Sequence, residues 1–215
     1  MTQLVLQALW ETLYMTVAST VAAYLIGLPL GLLLTVSAPD GIRPRAALYT
    51  TLGGVINILR SVPFLILMMT LIPVTRLICG TAIGSPATVV PLTIAAFPFV
   101  ARMVESSAKE VDRGVIEASL SMGASPSQVV WRVIVPEAMP GLLNGAAIAT
   151  TTILGYSAMA GICGGGGLGV IAINYGYYRG ETSTMLVMCV ILVVVVQAFQ
   201  MLGTRASRLS DKRIR

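Results

Sequence analysis

The chain has 215 residues, of which 56% are hydrophobic and only 11% charged, with a mean hydropathy of +0.86. A soluble domain carries about 25% charged residues, so the composition excludes one and fits an integral membrane chain of about five to six spans, at about 20 residues per span plus loops. There is no histidine, which removes His-dependent triads and the commonest metal ligand, and the three cysteines (Cys79, Cys163, Cys189) have no metal-ligand spacing.

In chain order, Met1–Leu9 carries no Lys or Arg, so no secretory signal peptide is read there. Thr12–Val36 is a charge-free run of 25 residues, long enough to span. Gly27 and Gly31 flank Pro29 within it, a G-x-x-x-G spacing that lets helices approach closely; a bend at Pro29 with no partner is the alternative. A basic turn, Ala38–Arg45, follows. The next hydrophobic region, Ala46–Thr75, is interrupted only by Arg60, with a kink expected at Pro63. A cation at mid-bilayer costs about 2.5–3.5 kcal/mol on insertion scales, so Arg60 must snorkel or find a partner. Arg60 and Ser61 are candidates for an inner subunit or pathway surface, with interfacial snorkelling as the plain alternative. Arg76–Pro86 reads as a polar turn. The third span is predicted over Pro86–Val100, ending at Arg102, short and broken by Pro91 and Pro98.

Arg102–Arg132 holds most of the mid-chain charge. Val104, Ala108, Val111 and Val115 recur as a helical stripe. Glu105, Lys109 and Arg113 fall at i, i+4 and i+8 on another face, in a favourable pairing order, and read as a solvated helix face. The stretch Glu117–Pro136, EASLSMGASPSQVVWRVIVP, has a clear local grammar. Glu117–Met122 continues a helix, and Gly123 is suited to end it in the left-handed conformation. Ser125 caps a new helix, Pro126 fits its first position, and Gln128 completes a capping box. This second helix is expected to be short and broken by Pro136. The plain reading is a connecting loop with two short helices.

From Ala138 to Tyr178 there is no charge. The fourth span is predicted over Pro140–Gly161, with a second G-x-x-x-G at Gly141 and Gly145, and with Thr150, Thr151 and Thr152 able to bond back to the helix. Tyr156, Ser157 and Met159 lie at its end and are candidate pathway or gate residues; core packing is the ordinary role of a Met in a span. Gly164, Gly166 and Gly169 satisfy G-x-G-x-x-G, but a dinucleotide site is rejected, because no strand precedes and no acidic residue follows at the right distance. The glycines instead predict a tight outer loop, with Cys79 and Cys163 both near that face and a disulfide between them left open. Asn174, Tyr175, Tyr177 and Tyr178 fit a membrane interface. The fifth span is predicted over Thr184–Gly203, followed by a basic tail.

The net charge of +5 is explained by topology rather than by nucleic acid. With five spans and an outer N-terminus, the inner segments hold Arg43, Arg45, Arg102, Lys109, Arg113, Arg132, Arg205, Arg208, Lys212, Arg213 and Arg215. The outer ones hold only Arg76 and Arg179, a strong positive-inside bias. The expected fold is all-α and integral to the membrane, with five transmembrane helices, a cytoplasmic C-terminus and a cytoplasmic elbow between spans three and four. Five helices make a thin wall, which predicts a homodimer. No Walker sequence is present, so the chain has no site of its own for ATP.

Glu117, Ala118, Gly123, Val133, Val135 and Pro136 resemble the EAA loop of bacterial ABC importer permeases, E-A-A-x3-G-x9-I-x-L-P. Ser119, Val133 and Val135 depart from it conservatively. The resemblance implies that residues 1–215 are one importer transmembrane domain, with a coupling loop at about 105–136. Glu117, Ala118, Gly123, Ala124, Ser125, Pro126 and Pro136 would engage a separate ATPase subunit carrying ATP and Mg. The stretches RSVPFLIL, VVPLTIAAFPFVARMVE, IEASLSMGA, PEAMPGLLN, GYSAMAG and GGGGLG…NYGYYR are together similar to the methionine-importing members of that family. That likeness implies two copies of the chain, two ATPase subunits, an outer methionine-binding lipoprotein, a bacterial inner membrane and import of L- or D-methionine by alternating access. No catalytic residue, cofactor or metal is implied on this chain. An ion-coupled secondary transporter is the alternative, but it would ordinarily place an ionisable group near the midplane, where only Arg60 approaches. A non-transporting scaffold would need neither the elbow nor the glycine loop.

Overall fold

A computed structural model describes Thr2–Asp211, and the inner charges assigned to Lys212, Arg213 and Arg215 lie outside these residues. Among the described residues the regular structure is helical, with no strand. The main helices are α1 (Thr2–Ser37), α2 (Ala46–Ser61), α3 (Phe64–Thr70), α4 (Ile72–Cys79), α5 (Ser85–Lys109), α6 (Arg113–Ser121), α7 (Pro126–Val129), α8 (Val135–Ala160), α9 (Leu168–Ile171) and α10 (Thr182–Ser210). Among the described residues, four stretches are long and apolar enough to cross a membrane, or five if α2 and α3 together count as one broken span.

Several boundaries differ from the sequence reading, mostly at prolines. α1 runs unbroken through Pro29, and α5 runs 25 residues through Pro91 and Pro98 instead of stopping near Val100. Membrane helices tolerate proline where neighbouring groups satisfy the freed backbone. Pro63, in contrast, marks a full break: α2 ends at Ser61 and α3 begins at Phe64. The expected turn from Arg76 is shorter, because α4 continues to Cys79 and stops on a left-handed Gly80. Pro136 does not end the helix after the elbow. A wide π-type turn over Val130–Ile134 comes immediately before it, and the chain stays helical into α8. Such a turn is a usual local adjustment around a proline. α10 extends to Ser210, well past the predicted Gly203.

By packing, the described chain divides into two compact units. The first takes residues up to Ala23, Val62–Ala96 and Ile148–Met201; the second takes Tyr24–Ser61, Phe97–Ala147 and the residues from Leu202 onward. In the first, Ala8, Leu168, Ile171 and Met188 form a small buried cluster. In the second, Leu34, Ile56 and Ala101 do the same, with Leu30, Tyr49 and Leu52 against them.

Both glycines of the first G-x-x-x-G pair, and Gly141 of the second, act in the second unit as close-approach surfaces, whereas a Cβ on Gly145 would meet only ordinary contacts at 3.5 Å. A Cβ on Gly27 would lie 2.7 Å from Val100 Cγ1, one on Gly31 2.6 Å from Val104 Cβ, and one on Gly141 2.9 Å from Ser107 Oγ. Close approach is therefore the reading that holds for Gly27 and Gly31, over an unpartnered bend at Pro29. Thr151 and Thr152 donate back to the Ile148 carbonyl, as their spacing predicts. The three thiols are free.

Candidate functional site

The elbow lies in the second unit, and its turn follows from local sequence. Asp112 caps α6, accepting from the Gly114 N–H at 2.6 Å. α6 ends in a Schellman arrangement: the Gly123 N–H bonds the Leu120 carbonyl and the Ala124 N–H the Ser119 carbonyl. Gly123 has φ +85° with open space around its Cα, so conformation and not crowding calls for glycine there. Ser125 then opens the next helix. Its hydroxyl accepts from the Gln128 N–H and the Gln128 side chain accepts from the Ser125 N–H, a complete capping box with Pro126 in the first turn. Ser119, standing where the EAA pattern has alanine, is buried and returns its hydroxyl to the Val115 carbonyl, which leaves no polar group to satisfy.

Glu117, Ala118, Gly123, Ser125 and Pro136 are exposed, while Ala124 and Pro126 are half-buried. Met122 and Trp131 are also exposed, at 82% and 56%, an unusual investment of apolar surface beside a polar turn. Glu117 lines a cavity of about 230 Å³ shared with Asp40, Lys109, Arg113, Leu120 and Ile134. Arg113 at the start of α6 pairs with Asp40 in the turn between α1 and α2.

Lys109 and Arg113 are exposed, as the spacing of the charges suggests, but Glu105 is not part of a solvated face. Glu105 is only 4% exposed. It accepts from Arg102 Nη1 at 2.6 Å, Lys109 Nζ at 2.8 Å and the Tyr49 hydroxyl at 3.0 Å. Arg102 Nη2 also donates to the Gly53 carbonyl at 2.9 Å and to Asn57 Oδ1 at 3.0 Å. Glu105 and Lys109 thus form the intrahelical pair that their spacing predicts, and Arg102, Glu105 and Lys109 also bond groups on α2. Arg113, the third member of the expected series, belongs to α6 and pairs elsewhere. Likewise the apolar stripe holds for Val104, Ala108 and Val111 but not for Val115, which is 46% exposed beyond the break at the end of α5.

The candidate pathway residues fall in both units. In the first, Tyr156 stacks on Phe64 with ring centroids 4.6 Å apart and planes 4° from parallel. Ser157 is buried and donates to the Leu154 carbonyl, and Met159 is 40% exposed. In the second, the exposed Arg60 guanidinium sits 6.0 Å from the Phe99 ring centroid, and Ser61 donates to the Asn57 carbonyl.

The glycine loop of the first unit is tight, as its composition predicts, and its backbone groups are bound by neighbouring helices. The Gly167 N–H donates to Glu11 Oε2 at 2.8 Å and the Leu168 N–H to Thr12 Oγ1 at 2.9 Å. The Thr88 hydroxyl donates to the Gly165 carbonyl and the Gly84 N–H to the Gly164 carbonyl. Gly164, Gly166 and Gly167 have positive φ, and a Cβ on Gly161 would lie 2.6 Å from Gly169 C. Glu11 and Thr12 were not singled out by sequence. The available signal is a lone carboxylate beside a hydroxyl at the edge of an apolar run.

Residues 27–215 match the family described as binding-protein-dependent transport system inner membrane component. The chain is 48% identical over 210 residues to the probable D-methionine transport system permease protein MetI of Vibrio cholerae, covering 98% of this chain and 93% of that protein. It is 51% identical over 158 residues to the D-methionine transport system permease protein MetI of Escherichia coli, covering 74% of this chain and 73% of that one. Among solved structures, a chain of the MetNI methionine ABC transporter in an inward-facing conformation superposes with a TM-score of 0.97 at 47% identity, covering 99% of this chain and 98% of that chain. The chain therefore belongs to the family of binding-protein-dependent transport system inner membrane components.

Proposed function

We propose that this chain is the membrane-spanning permease subunit of an ATP-driven importer that moves methionine inward. The observation that carries the reading is likeness along nearly the whole chain to a permease of that name, 48% identical over 98% of this chain. ATP hydrolysis belongs to a separate subunit, which holds ATP and Mg. The working assembly is two copies of this chain, two such ATPase subunits and an extracytoplasmic methionine-binding protein, in the bacterial inner membrane.

In this assembly the chain is one transmembrane domain of five spans, with α2 and α3 making one broken span. Its N-terminus is outside and its C-terminus cytoplasmic, a topology supported by the bias of Lys and Arg toward one set of segments. The elbow then faces the ATPase. Glu117, Ala118, Gly123, Ala124, Ser125, Pro126 and Pro136 shape a rigid, exposed knuckle, and Met122 and Trp131 supply the apolar contact that a protein partner would cover. Closure of the ATPase pair on ATP displaces the elbows, and the helices they terminate turn to open the outer side. Tyr156, Ser157 and Met159 beside the glycine loop, and Arg60 with Ser61, are the residues assigned to the pathway and its gates. A wall of aliphatic and hydroxyl side chains suits passage rather than tight capture, so affinity resides in the binding protein.

The test is ATP hydrolysis by the purified complex in lipid, with and without methionine-loaded binding protein. Co-purification of an ATPase and stimulation by the loaded protein are expected. Association without stimulation would remove methionine as the substrate, and absence of any ATPase would remove the importer.

A further inference from the structure

Within the second unit, the inner end of α5 meets its neighbours by two kinds of contact. Against α1 and α8 the contacts are steric, with Gly27 and Gly31 on Val100 and Val104, and Gly141 on Ser107. Close-packed surfaces of this kind resist separation, but they carry no directional bond that fixes rotation. Against α2 the contacts are directional hydrogen bonds, most of them charge-assisted: the Tyr49 hydroxyl donates to Glu105, Arg102 Nη2 donates to the Gly53 carbonyl and Asn57 Oδ1, and Lys109 Nζ donates to the Tyr49 hydroxyl, while Arg102 and Lys109 also pair with Glu105 along α5. Gly53 leaves room for this: a Cβ there would lie 3.0 Å from Arg102 Nη2.

The position of the cluster matters. Lys109 is the last residue of α5, and Asp112, the cap of α6, follows almost at once. A displacement of the elbow therefore reaches α5 at the residues that bind Glu105. A buried carboxylate such as Glu105, paired with a half-buried Arg102 and an exposed Lys109, is poor cement, because a well-packed apolar replacement is commonly as stable or more so. Its distinctive property is that it fixes one arrangement of two helices.

We propose that Glu105 is a positioning residue for transport: with Arg102, Lys109 and Tyr49 it pins α2 to the elbow-bearing end of α5, so that the two helices move as one body when the elbow is displaced. The proposal rests on the reading of the elbow as the coupling element. It makes α2, which ends at Arg60 and Ser61, the first membrane helix driven by the ATPase, while α1 and α8 slide along glycine faces.

The experiment compares wild type with the triple variant Arg102→Met, Glu105→Leu, Lys109→Met, each purified with its ATPase subunits and reconstituted in vesicles with methionine-loaded binding protein. Methionine moved per ATP hydrolysed is the readout. The triple variant is expected to assemble, to melt no earlier than wild type and to hydrolyse ATP, while transport per ATP falls by at least about fivefold, the lower range of allosteric couplings. Glu105→Asp, which keeps the charge, should recover part of the ratio. A triple variant with the wild-type ratio overturns the proposal, since cement alone would be replaceable. Should it fail to assemble, Tyr49→Phe decides, with a lowered ratio supporting the clamp and an unchanged one overturning it. Wild-type complex without ATP-dependent uptake would instead defeat the importer reading itself.

Discussion

The two units join their helices by opposite means. In the first, a loop of glycines offers bare backbone, and its N–H and carbonyl groups are taken up by Glu11, Thr12, Thr88 and Gly84. In the second, helices meet through glycine faces and through ionised side chains gathered on Glu105. The difference teaches where each unit is sensitive. Backbone-to-hydroxyl bonds hold a fixed shape and depend on residues small enough to let the backbone in. A charge cluster depends on keeping its balance, because loss of the cations would leave Glu105 buried without a counter-ion.

Among the largest effects should be that of Glu105→Leu alone, which takes the counter-ion from the half-buried Arg102 and the acceptor from Tyr49, while the exposed Lys109 returns to solvent. With the surviving Arg102 half-buried, the cost lies at the lower end of that for a buried pair broken from one side, about 3 kcal/mol, so the unfolding midpoint in detergent should drop steeply. A drop as small as that of a surface change would mean that Glu105 is solvated after all. In the first unit, Gly167→Ala sharpens the contrast. The residue has φ +78°, and a Cβ would lie 2.6 Å from Thr12 Oγ1, so left-handed strain and crowding add to a cost of about 2–4 kcal/mol. Hydrogen exchange at Leu168 should accelerate in that variant if the loop is held as described, and unchanged exchange would argue against it. The smallest effect belongs to the elbow: Ser125→Ala removes one cap and should cost about 1 kcal/mol, visible as a slight loss of thermal stability with the spans unaffected. A loss as large as that for Glu105→Leu would show that the elbow supports the fold as well as bearing a surface.

What could be read from the sequence follows the range of the interaction. Gly123, Ser125, Pro126 and Gln128 announced the elbow because caps are set by residues within one turn. Gly27, Gly31 and Gly141 announced close packing by spacing alone. The prolines misled where local rules ignore the membrane: Pro91, Pro98 and Pro136 lie in continuous helix, whereas Pro63 ends one. Glu105 read as solvated because its near partners, Arg102 and Lys109, are consistent with an exposed face, while Tyr49, Gly53 and Asn57 on α2 are distant in sequence. Glu11 was hidden for the same reason, since the loop that it holds is 156 residues away.

The measurement that tests the central claim most directly is thiol cross-linking between this chain and its ATPase subunit. With Cys79, Cys163 and Cys189 replaced by serine, single cysteines are placed at the exposed elbow positions Ser121 and Ser127 and at exposed Thr81 in the first unit. The account predicts short cross-links to the ATPase from Ser121→Cys and Ser127→Cys, and none from Thr81→Cys. Cross-links from Thr81→Cys, or silence at both elbow positions, would contradict it.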